Sequence, residues 1–207
     1  MKTYRSARDL VADVEAVLRH PHNIKDQPHF GASYSLHQPS YTAPLERVTN
    51  LLVNGRHYFW VGIFLVIGNH VVRQAFSGPM PPFQSFELGK GNVGASAERG
   101  VTKVVLDVKT DPAYGMSFRE TRSAIVIPIK IGGRVLGVID AKSDKSRALG
   151  PKDRVLLENV AAVCARFFLG KGKYVLRHAR QEWQKSVSDK AAPRIPGRSA
   201  RAAADSR

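Results

Sequence analysis

Two charged residues stand two apart near the end of an otherwise apolar extended run, Asp140 and Lys142. On a strand this spacing sends both side chains to one face. There a carboxylate and an ammonium can engage a zwitterionic or polar ligand, or neutralise each other across a solvated face. Upstream, Gly89-Lys90-Gly91-Asn92-Val93-Gly94 enters a helical pattern. Backbone N–H groups at Gly91 and Asn92 would suit an anion or carboxylate at such a helix start, although glycines there also serve a turn with no ligand. Trp60 and Phe64, four apart on an aromatic and β-branched run, can wall the apolar part of a ligand or pack as core.

The chemistry that is missing narrows the options. No cysteine or histidine lies between Phe86 and Lys142, and the chain has one cysteine, Cys164. Neither an internal disulfide nor a multi-cysteine metal site is therefore available. Cys164 falls on the apolar stripe of a helix, the position of a buried structural thiol. His20 and His22 sit in a loop without a matching Cys or carboxylate cluster, so no metal is expected. No nucleophile elbow surrounds any serine, and no cofactor or catalytic residue is assigned.

These residues need elements to position them. Tyr4, Ala7, Leu10, Val11, Val14, Val17 and Leu18 recur at helical spacing, with Ser6 at the start and Pro21 past the end. A second stripe, Leu45, Val48, Leu51 and Leu52, follows Pro44 and closes at Asn54-Gly55. The period then changes to strands: Tyr58 to Ile67, a Gly68-Asn69 turn, and His70 to Phe76 form a hairpin. A short extended piece over Phe83 to Leu88, a helix over Asn92 to Arg99 and a strand over Thr102 to Val108 come next. Asp111-Pro112 opens an irregular segment carrying Tyr114, Gly115 and Met116. Ser123 to Ile131 and Arg134 to Ser143 make a second hairpin through Gly132-Gly133. Pro151 starts a closing helix whose Val155, Leu156, Val160, Val163, Cys164 and Phe167 share a face, and Tyr174 to Val187 reads as a further basic helix. An antiparallel sheet with helices on one side and pocket-forming segments on the other satisfies this order, an α+β fold.

The 207 residues divide into an N-terminal helix and loop (1–41), a globular domain (42–169), a basic helical extension (170–189) and a basic tail (190–207) whose Ala, Pro, Arg and Ser content predicts disorder. From Lys171 to Arg207 there are ten Lys/Arg against three Asp/Glu, so seven of the fifteen net positive charges sit in the last 37 residues. That segment suits nucleic acid, anionic lipid or an acidic partner, or simply aids solubility. The longest apolar run is far short of the ~20 residues of a membrane span, and the N-terminus has no apolar signal core. No membrane association and a reducing cytoplasm are the expectation.

A family resemblance attaches to Trp60-Val61-Gly62-Ile63-Phe64, Gly89 to Gly94, Asp107-Val108, Arg122 to Ile129 and Gly137-Val138-Ile139-Asp140. Together, over about Leu45 to Leu169, they resemble a GAF domain, and within that family the free methionine-(R)-sulfoxide reductases. The resemblance implies a six-stranded antiparallel sheet, a ligand pocket on one face, and terminal helices on the other that often pair in dimers. It places three reductase cysteines at Val93, in the stretch Pro79 to Gln84, and near Met116 and Ser117. A glutamate of those enzymes corresponds to Ala124, and two aspartates to Asp140, which is kept, and Lys142, which reverses the charge. Sulfoxide reduction requires a nucleophilic and a resolving thiol, and neither is present at these positions. The resemblance thus implies a non-catalytic, ligand-binding or sensory domain, dimeric through its terminal helices and acting through a partner. The alternatives are a nucleic-acid-associated regulator using the basic C-terminal segment, and a divergent reductase.

Overall fold

The computed structural model describes residues 6–21, 41–112, 114 and 118–191. Ser6 starts helix α1 (Ala7–Arg19), its Oγ accepting the Asp9 N–H at 3.1 Å. Helix α2 (Ala43–Gly55) carries Pro44 in its first turn, where a missing N–H is tolerated. The strands are β1 (Trp60–Ile67), β2 (His70–Ser77), β3 (Ser85–Glu87), β4 (Lys103–Val105), β5 (Ser123–Ile131) and β6 (Arg134–Ser143). Helix α3 (Gly91–Arg99) separates β3 from β4, and helices α4 (Pro151–Leu169) and α5 (Lys173–Ala191) close the fold.

All six strands form one sheet in the order β3-β2-β1-β6-β5-β4, each neighbour antiparallel. Register puts Trp60, Lys142, Ala124 and Val105 in one row across the sheet, and Gly62, Asp140 and Val126 in the next but one. Side chains of a row share a face and alternate along each strand. The intervening residues, Val61, Ile63, Ile139, Ala141, Ile125 and Ile127, therefore point the other way, into the main core beneath α1, α2 and α4. Burial of both faces explains why β1 is apolar at every position. Terminal helices on one face and α3 with its flanking loops on the other reproduce the architecture expected from the sequence.

Several boundaries differ from the sequence expectation for local reasons. The first strand starts at Trp60 because Tyr58 leaves the ladder to donate its OH to Asp153 Oδ1 at 2.9 Å. The strand expected over Thr102 to Val108 is limited to Lys103–Val105, since the Leu106 carbonyl is taken by the Arg147 N–H at 2.7 Å. Val155 does not share the buried face of α4; it is 58% exposed, one residue ahead of the fully buried Leu156. Helix α5 reaches Ala191, past the point where the basic tail is expected to begin. Tyr4, the His22 end of the first loop and the tail beyond Ala191 lie outside the described residues.

Candidate functional site

The face of the sheet opposite α1, α2 and α4 carries a second, separate cluster built around Trp60 and Phe64. Loop residues complete it: Phe83 and Phe118 approach the Trp60 ring at 6.1 and 5.4 Å between centroids, and Phe86 packs on Phe64 at 5.7 Å. The indole lies flat enough on β1 that a Cβ at Gly62 would collide with its Cη2 atom, so this position needs glycine for space. Val93 and Ala97 of α3 and Val126 and Val138 of the sheet seal the rest.

Two charges are embedded beside this apolar cluster. Asp140 is 0% and Lys142 4% exposed, which replaces the solvated face considered from the sequence with a buried one. Lys142 Nζ lies 2.8 Å from Asp140 Oδ2 as an ion pair. It also donates to the Tyr114 OH at 3.4 Å and sits over the Trp60 and Tyr114 rings, 5.6 and 5.4 Å from their centroids. Burial pulls the ammonium down, but the Asp140 carboxylate and then Tyr114 outweigh it and hold its pKa above the ordinary lysine value. Two polar atoms here remain without a partner, the Trp60 indole Nε1 and Asp140 Oδ1, while Asp140 Oδ2 is met by the Lys142 ammonium. Leaving such a buried atom unpaired costs about 1–3 kcal/mol.

The glycine turn is built as its residues require. Gly89 and Gly91 have φ of +82° and +59°, and Gly94 has no Cβ to strike the Glu87 carbonyl, so α3 starts hard against the end of β3. Asn92 Nδ2 donates to Asp111 Oδ2 at 3.0 Å, and the Asp111 carbonyl accepts the Tyr114 N–H at 3.1 Å. The start of α3 is thereby tied to the segment that delivers Tyr114 to Lys142. Ala124 is buried in the same sheet row as Trp60 and Lys142. Of the ten candidate residues, Trp60, Phe64, Val93, Ala124, Asp140 and Lys142 lie on this face, while Gly91 and Asn92 form the rim of α3. Met116 and Ser117 lie outside the described residues.

Sequence reasoning did not pick out Tyr114, Phe83 or Phe118. Their only signal is an aromatic side chain in a polar or proline-bearing loop, which gains meaning once the loops fold over Trp60. The lone thiol is elsewhere: Cys164 is buried in the main core beneath the opposite face, and burial pushes its pKa up to about 12. No group of three or more metal-ligating side chains occurs among the described residues. No described helix is long and apolar enough to cross a membrane.

The GAF domain family model matches residues 43–167. The chain belongs to the GAF domain family. It is 31% identical over 119 residues to the GAF domain-containing protein A of Dictyostelium discoideum, covering 57% of this chain and 75% of that protein. It is also 31% identical over 106 residues to the free methionine-R-sulfoxide reductase of Saccharomyces cerevisiae, covering 49% of this chain and 58% of that protein. The X-ray structure of the Neisseria meningitidis free methionine-R-sulfoxide reductase in complex with its substrate superimposes with a TM-score of 0.65 and 25% identity, covering 81% of this chain and 96% of that one. The homology to these reductases agrees with the resemblance drawn from the glycine turn and the two hairpins. The GAF fold is a ligand-binding and sensory one, and in this GAF domain the sheet face opposite the terminal helices carries the Trp60 cluster.

Proposed function

We propose that this GAF domain binds a small polar molecule at the Trp60–Asp140 face without transforming it, and passes the bound state on through a partner. The observation that carries this reading is the unpaired Trp60 Nε1 and Asp140 Oδ1, a donor and an acceptor both buried on this face of the sheet. A fold that only packed this face would gain by losing both atoms, whereas a ligand that satisfied both would recover their cost. The placement of Cys164 in the other core supports binding over thiol chemistry, because its raised pKa leaves almost no thiolate near neutral pH. Exposed Val155 and Leu169 on α4, 58% and 54% accessible, support assembly through the terminal helices.

A thermal-shift series with methionine, methionine sulfoxide, other amino acids, nucleotides and small carboxylates tests the binding. One class should raise Tm, and Asp140→Asn should abolish that rise. If no class moves Tm, and none is turned over with a dithiol reductant, the reading fails; turnover would instead establish a reductase.

One observation favours a second reading, a nucleic-acid-associated regulator. Lys173, Arg177 and Arg180 are exposed on α5 at helical spacing, and the chain beyond Ala191 adds further arginines. Binding to a phosphate backbone would weaken steeply with salt, and replacing the three by glutamine would flatten that dependence. Salt-independent or absent binding removes this alternative.

A further inference from the structure

The Lys142 ammonium has the surroundings of a bound ligand. A carboxylate touches it at 2.8 Å, a phenol OH accepts from it at 3.4 Å, and the Trp60 and Tyr114 rings flank it at 5.6 and 5.4 Å. An anion plus two aromatic faces is the arrangement that recognises organic cations, because the ring quadrupoles and the carboxylate favour positive charge where water is excluded. The cage is assembled from separate parts of the fold. Asp140 comes from β6, Trp60 from β1, and Tyr114 from the segment that Asp111 and Asn92 tie to α3. Lys142 reaches it from the same strand as Asp140, two residues on.

We propose that Asp140, Trp60 and Tyr114 form a binding site for a primary ammonium group, and that Lys142 occupies this site in cis as a tethered cation. The inference shares Asp140 and Trp60 with the proposed ligand face and refines it. With the ammonium position filled from within, a ligand at this face has no need of a cation of its own; it must supply an acceptor to Trp60 Nε1 and a donor to Asp140 Oδ1. Neutral molecules bearing both a donor and an acceptor, such as carboxamides and lactams, carry the groups that requirement names. Simple alkylammonium ions do not compete, because the tethered ammonium is held at high effective concentration.

Removing the tether exposes the site. Lys142→Ala deletes the three methylenes and ammonium that together correspond to propylammonium. In thermal denaturation of the full chain, propylammonium chloride should raise the Tm of this variant by about 3–5 °C once its concentration exceeds the dissociation constant tenfold. Equal concentrations of 1-propanol or sodium chloride should not reproduce the rise, and Lys142→Ala/Asp140→Asn should lose it. The native chain should show no propylammonium effect beyond that of sodium chloride. If Lys142→Ala is recovered unfolded, the readout becomes its refolding yield from urea, which should increase with propylammonium and not with propanol. Equal responses to propylammonium and propanol, no response, or an equal response of the native chain would each overturn the proposal. The outcome is independent of the ligand screen. If every screened molecule leaves the native chain unmoved while propylammonium rescues Lys142→Ala, the ligand reading falls and the tethered cation stands.

Discussion

The Asp140–Lys142 pair gives the sharpest energetic prediction. Its nitrogen–oxygen distance is 2.8 Å and its side chains are 0% and 5% exposed, so removing one partner strands the other in an apolar cluster. Lys142→Met keeps the length and removes the charge, leaving Asp140 with no cation. Breaking a buried pair in this way costs about 3–5 kcal/mol. For a chain of this size each kcal/mol is worth about 2–4 °C, so Tm should fall by about 6–20 °C. Replacing both residues removes the stranded charge, and Lys142→Met/Asp140→Val should return to within about 2 kcal/mol of the native chain. Urea denaturation of the four proteins closes a double-mutant cycle, in which the two single costs should be strongly non-additive. The pair also fixes the alkaline behaviour. The folded pKa of Lys142 is raised by Asp140 and Tyr114 over the opposing effect of burial. Its contribution is therefore complete below the unfolded lysine value of about 10.4 and is lost as pH rises through the higher folded value. Native stability should show an extra alkaline decline that Lys142→Met lacks. A single-variant cost below about 1 kcal/mol, or additive costs, would refute the view that these charges are coupled in a dry environment.

Three further perturbations probe the elements around the site. Asp153 accepts Arg56 Nη2 at 3.0 Å, the buried Tyr58 OH at 2.9 Å and the Gly150 N–H at 3.1 Å; Asp153→Ala should cost about 3–5 kcal/mol in urea denaturation, while Tyr58→Phe should cost about 1 kcal/mol. Gly62→Ala should force the Trp60 indole off the sheet, costing about 1–3 kcal/mol of overpacking and shifting the emission of a tryptophan that is fully buried in the native chain. Cys164→Ser should lower Tm by placing an unpaired hydroxyl in the main core, yet leave any ligand-induced Tm rise unchanged, since the thiol belongs to the opposite face.

The order of elements was legible because the period of apolar residues changes at each boundary and glycines mark the turns. The two hairpins could be placed from Gly68-Asn69 and Gly132-Gly133, which the structure puts at positive φ at Gly68, Gly132 and Gly133. The two-sided burial of β1 was also foreshadowed, since Trp60 to Ile67 has no polar residue to face solvent. Legibility ended where long-range contacts decide the outcome. Nothing local says that Tyr58 turns toward an aspartate ninety-five positions later, so the first strand was extended two residues too far. Spacing alone put Asp140 and Lys142 on one face, but their burial depends on Phe83, Phe118 and Tyr114 arriving from loops. Val155 shows the same limit on a helix: an apolar residue one step ahead of the stripe is read as part of it until packing leaves it outside.

Strand β6 is what links the buried charges beside Trp60 to the rest of the molecule. Asp140 and Lys142 point toward the Trp60 cluster, while Ile139 and Ala141, interleaved with them, point into the core under the terminal helices. The pleat allows no shift of register that moves one set without moving the other, because a slip of one residue would exchange the faces of both. The energy of the ion pair is therefore invested in the same strand that α4 packs near, and its central pairing with β1 and β5 gives it no free edge to relax toward. Two consequences follow for experiments on this face. Variants of Asp140 or Lys142 must be compared at matched stability before any loss of binding is assigned to the site itself. Variants of Tyr114 are the cleaner probe, since this residue reaches Lys142 from outside the sheet and its removal leaves every strand pairing intact.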